Sequence, residues 1–149
     1  MLFRSKGYSI TMRRPATCPK LPLLCEEDRV AVTPMHSGFR LGSTMEFAGY
    51  DASLNRRRLA LLTAGAAHYF DDPIVEPIEE EWFGWRPMTP DSVPIIDRSP
   101  AMENVLIAAG HNMLGVSMSP ATGKLVAELL SGQTPHLDSS RYALSRLSR

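Results

Sequence analysis

The stretch VLIAAGHNMLGVSMSPATGKLVAELLSG, residues 105–132, decides how this chain is organised. Val105 to Ala109 is an unbroken apolar run after Asn104, which predicts a buried strand. The run ends at Gly110-His111. From Ser119 the period changes. Ala121, Leu125 and Leu129 form one row with Val126 and Leu130 beside it, which predicts a helix over Ser119–Ser131. Ser119 suits the N-cap, Pro120 the first helical position and Gly132 the residue just past the end. Between strand and helix stand Gly110, His111, Asn112, Met113, Leu114 and Gly115. Two glycines bracketing a loop at a helix amino end let backbone N–H groups face an electron-rich ligand, and the helix dipole adds positive potential there. A plain strand-to-helix turn that needs glycine for its geometry reads the same residues.

Upstream, Trp82-Phe83-Gly84-Trp85-Arg86-Pro87-Met88-Thr89-Pro90-Asp91 packs aromatics, an arginine and two prolines into ten positions. Arg86 presents a planar fork that pairs bidentately with a carboxylate. A carboxylate-bearing substrate is one reading, and a structural salt bridge to Asp91 or Asp97 is the other. His111 suits either acid/base work or a loop hydrogen bond.

The remaining chain reads as strands around one helix. Gly7–Met12 alternates and predicts a strand. Residues 13–27 are a long irregular connection with room for one edge strand. Arg29–Thr33 is a strand stopped by Pro34, and Met35–Gly38 is a turn. In residues 40–47, Leu41, Met45 and Phe47 share one face and Arg40, Gly42, Thr44 and Glu46 the other, so a hairpin with the preceding strand follows. Asp51–Phe70 predicts a helix capped by Asp51 or Ser53, with Leu59, Leu62, Ala66 and Tyr69 on its buried stripe. Arg56-Arg57-Arg58 is then a solvated helix face. Residues 74–81 are extended and acidic, Val93–Ile96 is a short apolar stretch, and the tail from Gln133 is polar with a poorly ordered end. The fold class is α+β: a mixed or antiparallel sheet followed by a closing strand-loop-helix.

Composition sets the outer limits. The chain has 149 residues, 44% of them hydrophobic, and sixteen Lys+Arg balance sixteen Asp+Glu. A net charge of zero argues against nucleic-acid partners. No apolar run approaches transmembrane length, and Met1–Tyr8 lacks the apolar core of a signal peptide. The expectation is a cytoplasmic protein, with peripheral contact to a membrane allowed. Cys18 and Cys25 are expected as free thiols, and no Cys/His spacing suggests a metal site, His36, His68 and His136 being scattered. The ten glycines never stand two apart. No G-x-G exists, so no dinucleotide fingerprint is present, and no glycine is followed by the Lys-Ser/Thr of a Walker A loop.

Four segments together resemble a known family. Lys6-Gly7-Tyr8-Ser9-Ile10-Thr11, Arg40-Leu41-Gly42 with Thr44-Met45-Glu46, the stretch Trp82–Asp91, and Gly110–Gly115 followed by Pro120-Ala121-Thr122-Gly123-Lys124 stand in the order found in the C-terminal part of FAD-dependent D-amino-acid dehydrogenases. These lie within the wider D-amino-acid oxidase and glycine oxidase group. The resemblance covers nearly the whole chain. It implies a partial domain over 1–149, with a substrate-domain portion at 7–100, a strand and helix returning to a Rossmann-like FAD domain at 101–132, and a tail at 133–149. It implies that Arg86 holds the substrate carboxylate and that Gly110, His111, Asn112, Met113, Leu114 and Gly115 lie against the flavin ring of FAD. The implied chemistry is hydride transfer from the α-carbon of a D-amino acid to the flavin, with the protein orienting the substrate rather than supplying a strong base.

Two departures bear on this. Asp97 stands where the family pattern commonly has glycine. The N-terminal FAD-binding segment has no counterpart in the sequence, which predicts exposed apolar surface on the 105–109 strand and the 119–131 helix unless a homo-oligomer or partner chain covers it. The expected function is therefore a D-amino-acid dehydrogenase fragment, inactive by itself. The alternatives are a non-catalytic binding or assembly module, and a subunit that completes an active site with a chain carrying the dinucleotide-binding fold.

Overall fold

A computed structural model describes residues 2–147. The α+β expectation holds: the strands are paired antiparallel wherever their register is defined, and two α-helices accompany them. The chain divides into two compact units, residues 5–85 and residues 86–147 joined by the first few residues.

β1 (Phe3–Met12), β2 (Leu23–Cys25), β3 (Val30–Pro34), β4 (Phe39–Glu46) and β5 (Ile78–Met88) form one sheet in the order β2-β3-β4-β1-β5; its body is the first unit, while Phe3 and Arg4 of β1 and Arg86–Met88 of β5 belong to the second. The hairpin between β3 and β4 is closed by the Met35 N–H donating to the Gly38 carbonyl at 2.9 Å. Pro34 ends its strand beyond the reach of β2, whose pairing covers only Val30–Val32, so its missing N–H breaks no ladder there. One face of the sheet carries Tyr8, Ile10, Met12, Val30, Val32, Phe39 and Leu41, all buried, and α1 (Arg56–Ala66) covers it with Leu59, Leu62 and Ala66. Gly65 is needed for this approach. A Cβ there would stand 2.8 Å from Val30 Cγ2 and 2.9 Å from Asp28 Cβ. Cys25 is buried and Cys18 half-buried, both as free thiols.

Three expectations change here. Residues 40–47 do not keep their alternation. Phe39 and Leu41 are buried, but Met45 and Phe47 are exposed at 44% and 63%. Ser43 and Thr44 have positive φ, and the register against β1 slips between Lys6 and Tyr8. This bulge adds one residue to β4 and so exchanges its faces. Second, α1 starts at Arg56, not near Asp51. Asn55 caps it by accepting from the Arg57 and Arg58 N–H groups, whereas Asp51 spends its carboxylate on a local turn with Ser53. Third, Tyr69 lies past the end of α1, is 44% exposed, and donates its hydroxyl to Glu27 at 3.1 Å.

In the second unit, β6 (Ile95–Arg98) and β7 (Leu106–Ala109) make an antiparallel pair with Ile95 opposite Ala109. A 3₁₀ turn (Asn112–Leu114) then leads into α2 (Gly115–Leu130). The strand expected to be buried is only half covered, with Ala108 exposed. α2 also begins four residues before Ser119, so Ser119 is no N-cap and Pro120 sits inside the helix. The helix tolerates this because the Ser119 hydroxyl donates to the Val116 carbonyl at 2.7 Å, the group that an N–H at position 120 would have engaged. The other end is as expected. Gly132 has φ 67°, and the Gln133 N–H donates back to the Glu128 carbonyl at 2.9 Å, closing a Schellman turn.

The tail is not a loose end over its described length. Residues 139–142 and 144–147 form two 3₁₀ turns beside β6, while the last two residues of the expected frayed end lie outside the described residues. Among the described residues, no helix is long and apolar enough to cross a membrane, and no His/Cys/Asp/Glu cluster could hold a metal.

Candidate functional site

The two motifs singled out in the sequence meet in the second unit. Met88, at the end of β5, forms an isolated antiparallel bridge with His111. Arg86 lies two residues earlier on the same strand. By the two-residue strand period the two side chains leave the same face, about 7 Å apart along it. Arg86 is half-buried, and burial lowers its pKa from the usual guanidinium value, though the group stays cationic at neutral pH. Asp91 pairs with Arg146 at 2.7 Å, and Asp97 accepts the Arg98 and Leu144 N–H groups, each at 2.8 Å.

The loop Gly110–Gly115 is shaped by close contact. Gly110 is buried with φ 83°, and a Cβ there would lie 2.8 Å from Thr89 Cγ2 and 3.1 Å from Leu2. Glycine is therefore required both for conformation and for space. His111 is half-buried. Its Nε2 is 3.0 Å from Thr122 Oγ1, which ties the loop to the second turn of α2. Asn112 has φ 54°, and its Oδ1 is buried without a hydrogen-bond partner. Such an atom has lost its water without replacing it, a state that a ligand donor would relieve. Met113, Leu114 and Val116 point outward, 66%, 53% and 89% exposed. The amino end of α2 has no side-chain cap and no acidic residue in its first turn, so its dipole is uncompensated by side chains.

Thr89 and Asp91 build the turn that supports this loop, a role that sequence reasoning missed. Thr89 is fully buried and its hydroxyl donates to the Val93 carbonyl at 2.8 Å, while the Val93 N–H donates to Asp91 at 3.1 Å. The signal that could have found it is the Thr-Pro-Asp spelling, which favours side-chain-to-backbone turns.

The other two motifs meet the aromatic start of the Trp82–Asp91 stretch in the first unit. Lys6 is fully buried. Its ammonium faces the rings of Phe83, Tyr8 and Trp85 at 4.5, 5.3 and 5.9 Å and donates to the Ser53 carbonyl. Tyr8 donates to Glu46, which also accepts from Asn55 at 2.9 Å. Burial, and then the hydrogen bond to Glu46, pushes the Tyr8 phenol up, and the same hydrogen bond pulls Glu46 below the usual carboxylate range. The β4 bulge is what brings Glu46 to this side of the sheet. On another part of the sheet, Arg40 donates to Thr11 at 2.9 Å and to Glu80 at 3.3 Å beside the Trp82 ring.

Residues 1–129 match the DAO family, described as FAD dependent oxidoreductase. The chain is 35% identical over 149 residues to a D-amino acid dehydrogenase of Granulibacter bethesdensis, covering 97% of this chain and 35% of that protein. It therefore spans about a third of the length of such relatives. Among solved structures, glycine oxidase from Geobacillus kaustophilus superposes with a TM-score of 0.88 at 25% identity, over 97% of this chain and 39% of that one. L-Proline dehydrogenase from P. horikoshii shares the fold, with a TM-score of 0.81 at 24% identity over all of this chain and 41% of that one. With more than four fifths of its residues matched, the chain belongs to the DAO family of FAD-dependent oxidoreductases.

Proposed function

We propose that this chain supplies the substrate-binding and flavin-facing portion of an FAD-dependent enzyme that oxidises D-amino acids. The observation that carries the proposal is the Met88–His111 bridge, because it sets the strand bearing Arg86 against the Gly110–Gly115 loop. Residues 7–100 are assigned to the substrate domain, 101–132 to the strand and helix that return to the FAD domain, and 133–149 to an appended tail.

The residues present suit one edge of the cofactor. The unpartnered Asn112 amide oxygen suits a ring N–H donor, while the amino end of α2, beside a loop whose Gly110 leaves no room for a side chain, favours an electron-rich ring edge. Met113, Leu114 and Val116 offer apolar surface beside it. Nothing in the sequence suits the pyrophosphate, since no G-x-G occurs. That half of the grip comes from a dinucleotide-binding segment outside these 149 residues, in the same polypeptide or another, and the isolated chain is inactive.

Bound FAD supplies the two-electron acceptor for the hydride of the α-carbon. The chain's own work is orientation. The Arg86 fork takes the substrate carboxylate in two parallel hydrogen bonds, which leaves the α-C–H one allowed direction. The amine loses a proton to water as the hydride departs, and the imine is hydrolysed to a 2-oxo acid and ammonium. The amino end of α2 would hold the ring edge of the bound cofactor and would favour negative charge there.

The test joins the chain to its dinucleotide-binding segment and measures FAD absorbance and D-amino-acid-dependent dye reduction. The expected result is a yellow protein whose activity needs the D-enantiomer. A protein that takes up no FAD even when complete overturns the assignment and favours a non-catalytic assembly module.

A further inference from the structure

The polar stretch after Gly132 folds back in three steps. The His136 N–H and Nδ1 both meet Glu128 Oε2, at 2.9 and 2.8 Å. The Leu144 N–H donates to Asp97 Oδ2 at 2.8 Å, so the residue that departs from the pattern of the family it resembles is the one that holds the tail backbone on β6. Arg146 then closes the path. Its Nε and Nη2 meet Asp91 Oδ2 and Oδ1 at 2.7 and 3.3 Å, Nη2 also donates to the Val93 carbonyl, and Nη1 donates to the Ala143 carbonyl at 2.9 Å. Its side chain is 17% exposed, whereas Arg141, paired with Asp138 at 3.7 Å, is 80% exposed. A fork that saturates a carboxylate and two carbonyls in this way fixes geometry, which a surface pair does not.

What Arg146 fixes is the turn beneath the candidate site. Asp91 and Thr89 both bond to Val93, from opposite sides of the turn, and Ser92 is held at φ 59° within it. Thr89 in turn abuts Gly110, whose position leaves no space for even a methyl group. Arg146, Asp91, Thr89 and Gly110 thus form a chain of contacts from the tail to the loop. The match to the DAO family ends at residue 129, and the strap lies beyond it.

We propose that residues 133–147 are a strap that sets the position of the Gly110–Gly115 loop, with Arg146 as its positioning residue. The hold itself is a matter of contacts, while its value for catalysis rests on the function proposed above. The experiment is amide hydrogen exchange on the full chain, wild type against Arg146→Ala, Arg146→Lys and Arg141→Ala. Arg146→Ala is expected to speed exchange about tenfold or more in residues 89–94 and 110–115, with α1 and β3 unchanged. Arg146→Lys restores only part of the protection, because an ammonium cannot make the fork. Arg141→Ala matches wild type. Should Arg146→Ala fail to fold, Asp91→Asn gives the same local pattern, and combining it with Arg146→Lys adds little. Unchanged exchange at 110–115, or acceleration spread evenly over the chain, overturns the proposal. No flavin or substrate enters this measurement, so failure of the functional reading would appear separately, as absent FAD uptake.

Discussion

Met88 and His111 face each other across an isolated antiparallel bridge, a backbone pairing that joins the end of β5 to the loop before α2. Everything proposed for the site depends on this juxtaposition. Arg86 on one side and Gly110–Gly115 on the other are 24 positions apart from Arg86 to Gly110 in the chain. The strand and the buried turn at Thr89 bring them together.

Gly110 should be the least replaceable residue of the loop. With φ 83° and Thr89 Cγ2 2.8 Å from the site of a Cβ, Gly110→Ala meets both backbone strain and a clash. The expected cost is about 2–4 kcal/mol, read from the denaturation midpoint. Gly123→Ala is the comparison, since a Cβ there meets nothing within 4 Å, and it should be neutral or slightly stabilising.

Tyr8→Phe tests the buried network of the first unit. The change removes the donor that chiefly depresses Glu46, leaving Asn55 as its hydrogen-bond partner at 2.9 Å. Stability at neutral pH should fall by about 1–3 kcal/mol. The Glu46 carboxyl should titrate closer to the ordinary carboxylate range, followed by its carbon resonance in an NMR titration. An unmoved Glu46 titration would exclude Tyr8 as its main partner.

The strap should release in acid. The folded-state pKa of Glu128 is lowered, first by the His136 side chain, and that of Asp91 is lowered well below the usual range, first by the Arg146 side chain. A depressed carboxyl contributes stability that is complete above its unfolded pKa, about 4 for either residue, and is lost as pH falls through the folded value. Protection of residues 133–147 against exchange should therefore be flat from neutrality to about pH 5 and decline below about pH 4. Glu128→Gln should weaken protection near His136 at neutral pH and remove that part of the acid dependence.

Much of the architecture was legible in the residues because it depends on local chemistry. The Met35–Gly38 turn, the Leu59/Leu62/Ala66 stripe and the Gly132 cap all follow from spacing and backbone preference. The elements that differ from expectation share another cause. The β4 bulge at Ser43–Thr44 exchanges faces for a partner on β1, so Glu46 reaches Tyr8 only through tertiary pairing. The start of α2 lies before Pro120 because Ser119 satisfies the Val116 carbonyl, where a proline alone reads as a boundary. The tail is ordered by Asp97, Glu128 and Asp91, residues 8 to 55 positions away from their partners. At the site, Arg86 and the loop were visible as motifs, but the support from Thr89, Asp91 and Arg146 appears only in three dimensions.

The most direct measurement of the central claim is an anaerobic titration of the complete, FAD-loaded protein with a D-amino acid, followed by loss of the flavin band. Wild type should bleach with a saturating dependence on the D-enantiomer. Arg86→Ala should keep its flavin band and bind the substrate about 10–150-fold more weakly, the range for losing hydrogen bonds to a charged carboxylate, with Arg86→Lys between the two. An Arg86→Ala protein that bleaches at wild-type substrate concentrations would contradict the assignment of Arg86 to the substrate carboxylate.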